Sequence, residues 1–193
     1  MRRTKKMSLL TKTTRSKYFK FLGLGEYNKA NILKLQKKYF PASEQDGKYG
    51  KKTDYLLRHV YNVIKYSTNF KPEEFRCNCG RCTGYPVQMK AKTIKHVQTI
   101  RTHYGKPMTV TSGLRCKYKN DSVGGSKDSR HLEGRAVDFY IAGVTDTLPR
   151  RKNAIAYIKT LKNHRYTYGN GFNSYGQSIK APNMGNALHT DTK

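Results

Sequence analysis

Two short segments of the sequence carry side chains that bind metal ions. In the first, His131 precedes an aspartate, Asp138, by seven residues, with a helix-breaking Gly134 between them. The second, close to residue 193, contains His189 and Asp191. If this segment is a strand, both side chains lie on one face, because alternate residues of a strand point to the same side. Two histidines and one carboxylate are a typical ligand set of a catalytic zinc site.

The four cysteines form a second group of metal-binding side chains. Cys77, Cys79 and Cys82 lie within one short segment, and Cys116 follows much later. Such a set fits a structural zinc site with four thiolate ligands, and Gly80 supplies a tight turn between ligands. A disulfide to Cys116 is one alternative, although disulfides are rare in a reducing cytoplasm. Free buried thiols are the other.

The order of elements around these residues indicates an α+β domain. Apolar periodicity and β-branched runs predict a helix, a strand, a loop, a strand and a helix, over 87–103, 108–111, 120–134, 135–141 and 154–161. A long loop or hairpin is predicted over 169–187. This order differs from the regular βαβ alternation of parallel sheets.

The first third of the chain is predicted to contain a basic leader and a small helical unit. Residues 1–22 are rich in Lys and Arg, with little apolar periodicity. Residues 31–40 have helical spacing, and Pro41 ends that helix. Thr53 is predicted to cap a second helix. Residues 67–76 are predicted to be a linker.

Part of this helical unit resembles the small three-helix peptidoglycan-binding domain. That family has a Leu-Gln pair in its first long helix and a DGxxGxxT sequence at the start of its last helix. The matching residues here are Leu35-Gln36 and the segment from Asp46 to Thr53. The resemblance implies a wall-binding helical domain over residues 23–68. A helical hairpin that only packs on its neighbour is the alternative.

The rest of the chain resembles the zinc D-alanyl-D-alanine carboxypeptidase and endopeptidase family, which includes phage endolysins. The resemblance depends on SGxR at 112–115, on SxHxxGxAxD at 129–138 and on HxD at 189–191, in that order. It implies a zinc peptidase domain over residues 69–193. The implied fold is α+β, a small antiparallel sheet with helices, of the D-Ala-D-Ala carboxypeptidase and hedgehog type.

The resemblance also implies a role for each matched residue. His131, Asp138 and His189 would bind the catalytic zinc ion. Arg115 and Ser129 would hold the carbonyl or terminal carboxylate of the peptide, since a guanidinium forms a bidentate pair with a carboxylate and a hydroxyl donates a hydrogen bond.

The general base is predicted to be Asp191, two residues beyond a metal ligand. Several branches of the family place the base three residues before the last histidine, and this chain has Asn186 there. An amide cannot serve as a base. The alternative is therefore an inactive protein of the same family that only binds. Glu133 is a second candidate base, although solvent exposure is the expected state of that position.

Composition indicates an anionic partner. The 193 residues include 39 Lys and Arg against 12 Asp and Glu, a net charge of +27 spread along the whole chain. Nucleic acid, acidic lipid and bacterial cell wall all fit this charge. The sequence has no recognisable nucleic-acid reader motif, no apolar run long enough for a membrane span and no secretory signal.

The two resemblances together imply a zinc-dependent peptidoglycan peptidase, an endolysin or a virion-associated lysin. It would be made in the host cytoplasm without a signal peptide, and it would reach the wall after lysis of the membrane or within the virion. The expected partners are peptidoglycan and other virion proteins, with no specific nucleic acid. The alternative function is a catalytically inactive wall-binding or virion structural protein with the same fold.

Overall fold

The computed structural model describes residues 8–193, so residues 1–7 of the predicted leader lie outside the described residues. Within 8–193 the protein is α+β, as predicted from the sequence. Its helices are α1 (Lys12–Phe21), α2 (Lys29–Tyr39), α3 (Lys51–Tyr66), α4 (Ala91–Tyr104), α5 (Lys117–Ser122) and α6 (Leu148–Lys159). Its strands are β1 (Thr109–Ser112), β2 (Ala136–Tyr140), β3 (His164–Gly169), β4 (Phe172–Asn173) and β5 (Leu188–Thr192).

The five strands form one antiparallel sheet in the order β1-β2-β5-β3-β4. The last strand of the chain, β5, is therefore the central one, and all five of its residues are buried. Its register against β2 places Asp138 directly opposite His189. Directly opposed residues of an antiparallel pair have side chains on the same face, close enough to interact.

One face of the sheet is covered by α4. Thr93 and His96 of this helix form hydrogen bonds of 2.9 Å to Thr192 and Thr190 of β5. Because residues of a strand alternate, these contacts leave His189 and Asp191 on the opposite face. The helix layer thus fixes which side of the sheet is free for a site.

The motif that resembles a peptidoglycan-binding domain is a hydrogen-bond cluster around the buried Gln36. Gln36 of α2 donates to Asp46 Oδ1 at 2.9 Å and to Thr53 Oγ1 at 3.0 Å, and it accepts from the Gly47 amide at 2.7 Å. The prediction that Thr53 caps α3 is wrong. Helix α3 begins at Lys51, and the Thr53 hydroxyl instead donates to the Lys48 carbonyl.

The predicted leader contains a helix that periodicity did not reveal. Helix α1 begins after Thr11, whose side chain accepts from the Thr14 amide, and Phe19 on this helix is fully buried. Phe19 belongs to a hydrophobic core that continues from the first three helices into the sheet domain. Residues 8–22 are therefore packed against the rest of the protein.

The segment between α3 and α4 is fixed by a buried histidine. His59 Nε2 lies 2.9 Å from the Pro72 carbonyl, and its Nδ1 accepts from the Met89 amide at 3.3 Å. Met89 also accepts a hydrogen bond from Asn62 at its carbonyl. These contacts fix the backbone at Met89, and α4 begins two residues later at Ala91, later than predicted.

Helix α6 begins at Leu148, six residues before the predicted start. The Thr147 side chain accepts from the Arg150 amide and caps the helix, and Pro149 occupies its first turn. Across residues 8–193, no helix combines the length and apolar character needed to cross a membrane.

Candidate metal centre and its cleft

The strand register and one tight turn bring the three predicted ligands together. Asp138 and His189 lie opposite each other on β2 and β5, and His131 lies in a short 3-10 turn just before β2. Gly134 ends that turn with a φ of +67°. A Cβ atom there would lie 2.1 Å from the Gln88 carbonyl oxygen, so only glycine fits this position.

The ligand atoms form a triangle of the size that a metal ion requires. His131 Nε2 lies 3.1 Å from Asp138 Oδ1 and 3.2 Å from His189 Nδ1. His189 Nδ1 and Asp138 Oδ1 are 2.7 Å apart. Tetrahedral ligands about 2.0–2.2 Å from zinc are about 3.3–3.6 Å from one another, so these three atoms lie slightly closer together than the ligands of a bound zinc ion. The donor set thus fits a zinc ion bound by three protein ligands.

The protonation states of His131 and Asp138 also suit a metal. His131 Nδ1 donates to the Gly113 carbonyl at 2.6 Å, which leaves the Nε2 lone pair facing the other ligands. Burial lowers the pKa of His131, so its neutral form is favoured. Burial raises the pKa of Asp138, but the His131 and His189 imidazoles outweigh this and hold it well below its usual range. Metal ligands must be deprotonated, and both shifts favour that form.

The third ligand, His189, lies between two carboxylates. Its Nδ1 faces Asp138, and its Nε2 lies 3.5 Å from Asp191 Oδ2. Burial lowers the pKa of His189, but hydrogen bonds to both carboxylates raise it above its ordinary value. The site therefore attracts a positive charge, which a metal ion would supply.

Arg115 contacts the metal centre directly. Its guanidinium forms an ion pair with Asp138 Oδ2, and its Nε donates to Ser112 Oγ at 2.9 Å. The Arg115 amide also donates to the His131 carbonyl at 3.3 Å. Ser129, directly before the turn that carries His131, lines the same cleft. The structure thus places Arg115 in contact with a ligand and Ser129 in the lining of the same cleft.

Asp191 has one carboxylate oxygen bound and one free. Oδ2 accepts from Arg165 Nη1 at 2.7 Å, whereas Oδ1 is buried and has no hydrogen-bond partner among residues 8–193. Burial raises the pKa of Asp191, but His189 and Arg165 outweigh it, so the pKa lies below its usual range. Asp191 lines the cleft together with the three ligands.

The centre lies in an open cleft of about 1050 Å³. Its lining includes Lys119, Arg130, Arg165 and Lys180 in addition to Arg115, against the carboxylates of Asp128, Asp138 and Asp191, so basic groups outnumber acidic ones in the cleft. An anionic ligand, such as a peptide with free carboxylates, is complementary to this charge.

Two residues that sequence reasoning did not single out belong to the site. Arg165 and Tyr168 both lie on β3, and the Tyr168 ring stacks on His189 with centroids 4.9 Å apart. Their place next to β5 follows from the strand order, which no local motif encodes. Tyr168 restricts the orientation of the His189 ring.

The two other candidate positions for a base lie in structural contacts. Asn186 accepts a hydrogen bond from Arg151 Nη1 at 3.1 Å. Glu133 is exposed, as expected, and pairs with Arg130 and Arg135.

The four cysteines converge as well. No disulfide joins Cys77, Cys79, Cys82 and Cys116, and their sulfur atoms all lie within 4.8 Å of one another.

Comparison with known proteins gives a family. A family model described as Peptidase M15 matches residues 68–177, a range that includes Arg115, Ser129, His131 and Asp138 and ends before His189. No curated protein shows significant similarity to the chain. The matched range is more than half of the 193 residues, and the three converged ligands agree with the zinc chemistry of the family. The chain therefore belongs to the peptidase M15 family of zinc metallopeptidases.

Proposed function

We propose that the protein is a zinc-dependent peptidoglycan peptidase, an endolysin or virion-associated lysin, that hydrolyses stem or cross-link peptide bonds of the bacterial cell wall. The observation that carries the proposal is the ligand triangle of His131, Asp138 and His189 within a basic cleft. A D-alanyl-D-alanine carboxypeptidase or endopeptidase is the proposed type.

Zinc bound by these residues would polarise the scissile carbonyl and lower the pKa of a bound water molecule toward about 7. The remaining work falls to the residues of the chain. Arg115 and Ser129 are proposed to bind the carbonyl or terminal carboxylate of the peptide. Guanidinium–carboxylate pairs are directional and strong, so they would fix the scissile bond over the centre.

Asp191 is proposed to accept the proton of the attacking water and to pass it to the leaving amine. Its free Oδ1 supports this role, because an oxygen without a partner can accept a proton without losing a hydrogen bond. The ion pair with Arg165 holds the carboxylate in place. General acid–base catalysis of this kind contributes about 10²–10⁴ in rate.

Charge supports a wall substrate. Stem peptides carry free carboxylates, and the cleft lining is rich in Lys and Arg. The net charge of +27 adds non-specific attraction to anionic wall polymers. The helical unit over residues 23–68 is proposed to contribute to wall binding. Action in the host, after lysis of the membrane or from the virion, is part of the same proposal, and virion proteins would then be partners.

A catalytically inactive wall-binding protein is the second candidate. Asn186, at the position of the base in several related enzymes, favours it, because this side chain is held by Arg151 and carries no charge. The two candidates differ in whether bonds are cut, which a single assay resolves.

The test is hydrolysis of purified peptidoglycan, monitored as loss of turbidity and by mass spectrometry of released peptides. The zinc-loaded wild type should release new amino termini, a chelator should stop the release, and added zinc should restore it. His131→Ala should be inactive, whereas His103→Ala, an exposed histidine outside the cleft, should match the wild type. Wall binding without release of amino termini would establish the inactive alternative.

A further inference from the structure

A second cluster of metal-binding side chains lies outside the histidine centre. Three of its cysteines are in the segment between the Pro72–Phe75 turn and α4, and Cys116 directly precedes α5. All four sulfur atoms lie within 4.8 Å of one another. The peptidase proposal gives this cluster no function.

The sulfur separations match a shared metal ion. Cys79 Sγ lies 3.4 Å from Cys82 Sγ and 3.6 Å from Cys116 Sγ. Sulfur atoms about 2.3 Å from a tetrahedral zinc ion are about 3.8 Å apart. Covalently bonded sulfurs are about 2.05 Å apart, so the cluster is arranged around a common centre and not in two bonded pairs.

Each of the four sulfurs accepts one backbone amide hydrogen bond. The donors are the amides of Cys116, Arg81, Gly84 and Lys119, which bond to Cys77, Cys79, Cys82 and Cys116 at 3.3–3.5 Å. Amide donors stabilise negative charge on sulfur, and thiolates are the form that binds metal. An apolar packing of neutral thiols would not need a donor at every sulfur.

The chain is folded locally to present these sulfurs. Gly80, between Cys79 and Cys82, has a φ of +69°, which gives the tight turn of a C-x-x-C ligand pair. The Cys77 amide donates to the Gly84 carbonyl at 2.7 Å and closes the loop. The ligand geometry is thus built into the backbone.

We propose that Cys77, Cys79, Cys82 and Cys116 bind a second, structural zinc ion. Four thiolates close the coordination shell, so this ion has no open position for a substrate. Tetrahedral sulfur ligands select zinc or iron among common metals, and zinc is the proposed ion. The site is independent of the peptidase proposal, because it uses none of the residues of the histidine centre.

The proposed ion connects the Cys-rich loop to the backbone that positions Arg115. Cys116 follows Arg115 directly, and the Leu114 amide donates to the Phe75 carbonyl at 2.8 Å. A metal between Cys116 and the loop would therefore help to hold the segment 113–116, which includes Arg115. The role is positional, since no sulfur touches the ligand triangle.

The first experiment measures metal in the full-length protein, purified under reducing conditions without chelator. Elemental analysis should give two zinc ions per chain, and X-ray absorption should show zinc–sulfur distances of about 2.3 Å. Replacement with Co²⁺ should produce the thiolate-to-metal charge-transfer band of a sulfur site. One zinc per chain with no sulfur ligands, bound iron, or a disulfide found by mass spectrometry of protein isolated without reductant would each overturn the proposal.

Two paired variants assign the ions. His131→Ala/His189→Ala should retain one zinc ion and the charge-transfer band, whereas Cys79→Ser/Cys82→Ser should lose the band. If the cysteine variant fails to fold, the wild-type cobalt spectrum and the histidine variant still decide the result. A histidine variant that has lost all zinc and the band would refute the sulfur site.

Discussion

Asp191→Asn is expected to remove most of the hydrolytic activity while the metal centre stays assembled. In the wild type, Oδ2 accepts from Arg165 at 2.7 Å and Oδ1 has no partner among residues 8–193. Asparagine has nearly the same shape and one acceptor oxygen, so it can keep the contact with Arg165. Its amide cannot accept a proton at neutral pH, and the free oxygen is thus lost as a base.

The substitution has two separable effects. Loss of a general base costs about 10²–10⁴ in rate, equivalent to about 3–5 kcal/mol in the activation free energy. Loss of the carboxylate that faces His189 Nε2 at 3.5 Å weakens the orientation of a ligand, and such changes typically cost about 10–100-fold in metal affinity. Only the first effect persists when zinc is saturating.

The assay is therefore the kcat for a soluble stem peptide, measured as zinc is raised to saturation, with zinc affinity measured separately. Arg165→Gln is the matched control, because it removes the ion pair and keeps the carboxylate. It should lose much less activity than Asp191→Asn at saturating zinc.

A clear result would refute this reasoning. Loss of a general base lowers kcat by roughly 10²-fold or more. If the kcat of Asp191→Asn at saturating zinc lies much closer to the wild-type value than this, Asp191 only positions His189. The base would then be another group of the cleft.

Four further predictions concern metal binding, substrate binding, stability and charge. His131→Ala should lose the zinc of the histidine centre and keep the circular dichroism spectrum of the wild type; unchanged metal content would contradict the ligand assignment. Arg115→Lys keeps the charge but cannot form a bidentate pair with a carboxylate, so kcat/KM should fall roughly 10- to 100-fold. A wild-type value would show that Arg115 does not bind the substrate. Burial lowers the pKa of His59 from 6.5 to about 4, so stability should be full above pH 6.5 and fall by about 3 kcal/mol as the pH falls toward 4. The unfolding free energy of His59→Gln should depend less on pH in that range, and an identical slope would exclude His59. Binding to cell walls should weaken as salt rises, since charges are screened over about 10 Å at 0.1 M salt, while cleavage of a short soluble peptide should hardly change. Salt-independent wall binding would exclude the electrostatic contribution.

Two ligands of the centre were predictable because their spacing is local, whereas His189 was assigned by the resemblance to the family and reaches Asp138 only through the pairing of β2 with β5. His131, Gly134 and Asp138 lie within one turn and one strand, so their types and order limit the geometry they can form. The α+β class was likewise predictable from the order of short strands and helices. Alternation along β5 also predicted that His189 and Asp191 share a face, and both line the cleft.

Contacts that depend on strand order were not predictable. Arg165 and Tyr168 reach the centre only because β3 pairs with β5, and that pairing joins residues separated by a long loop. Sequence spacing gives no information on such a register. The missed helix α1 had a weaker local signal, the Thr11 cap, which its many basic residues obscured.

The continuous core bears on how the helical unit and the peptidase domain work together. Buried apolar side chains run from Phe19 and Leu35 to Phe75 and Ile94 in one cluster, and His59 ties α3 to the segment before α4. Removal of the helices would expose this shared core, and loss of a large buried side chain alone costs about 2–5 kcal/mol. A truncated protein would therefore lose activity through instability, whatever the helices bind. Wall binding by residues 23–68 is better separated from folding by substitution of their exposed lysines, such as Lys34 and Lys37, which leaves the core intact.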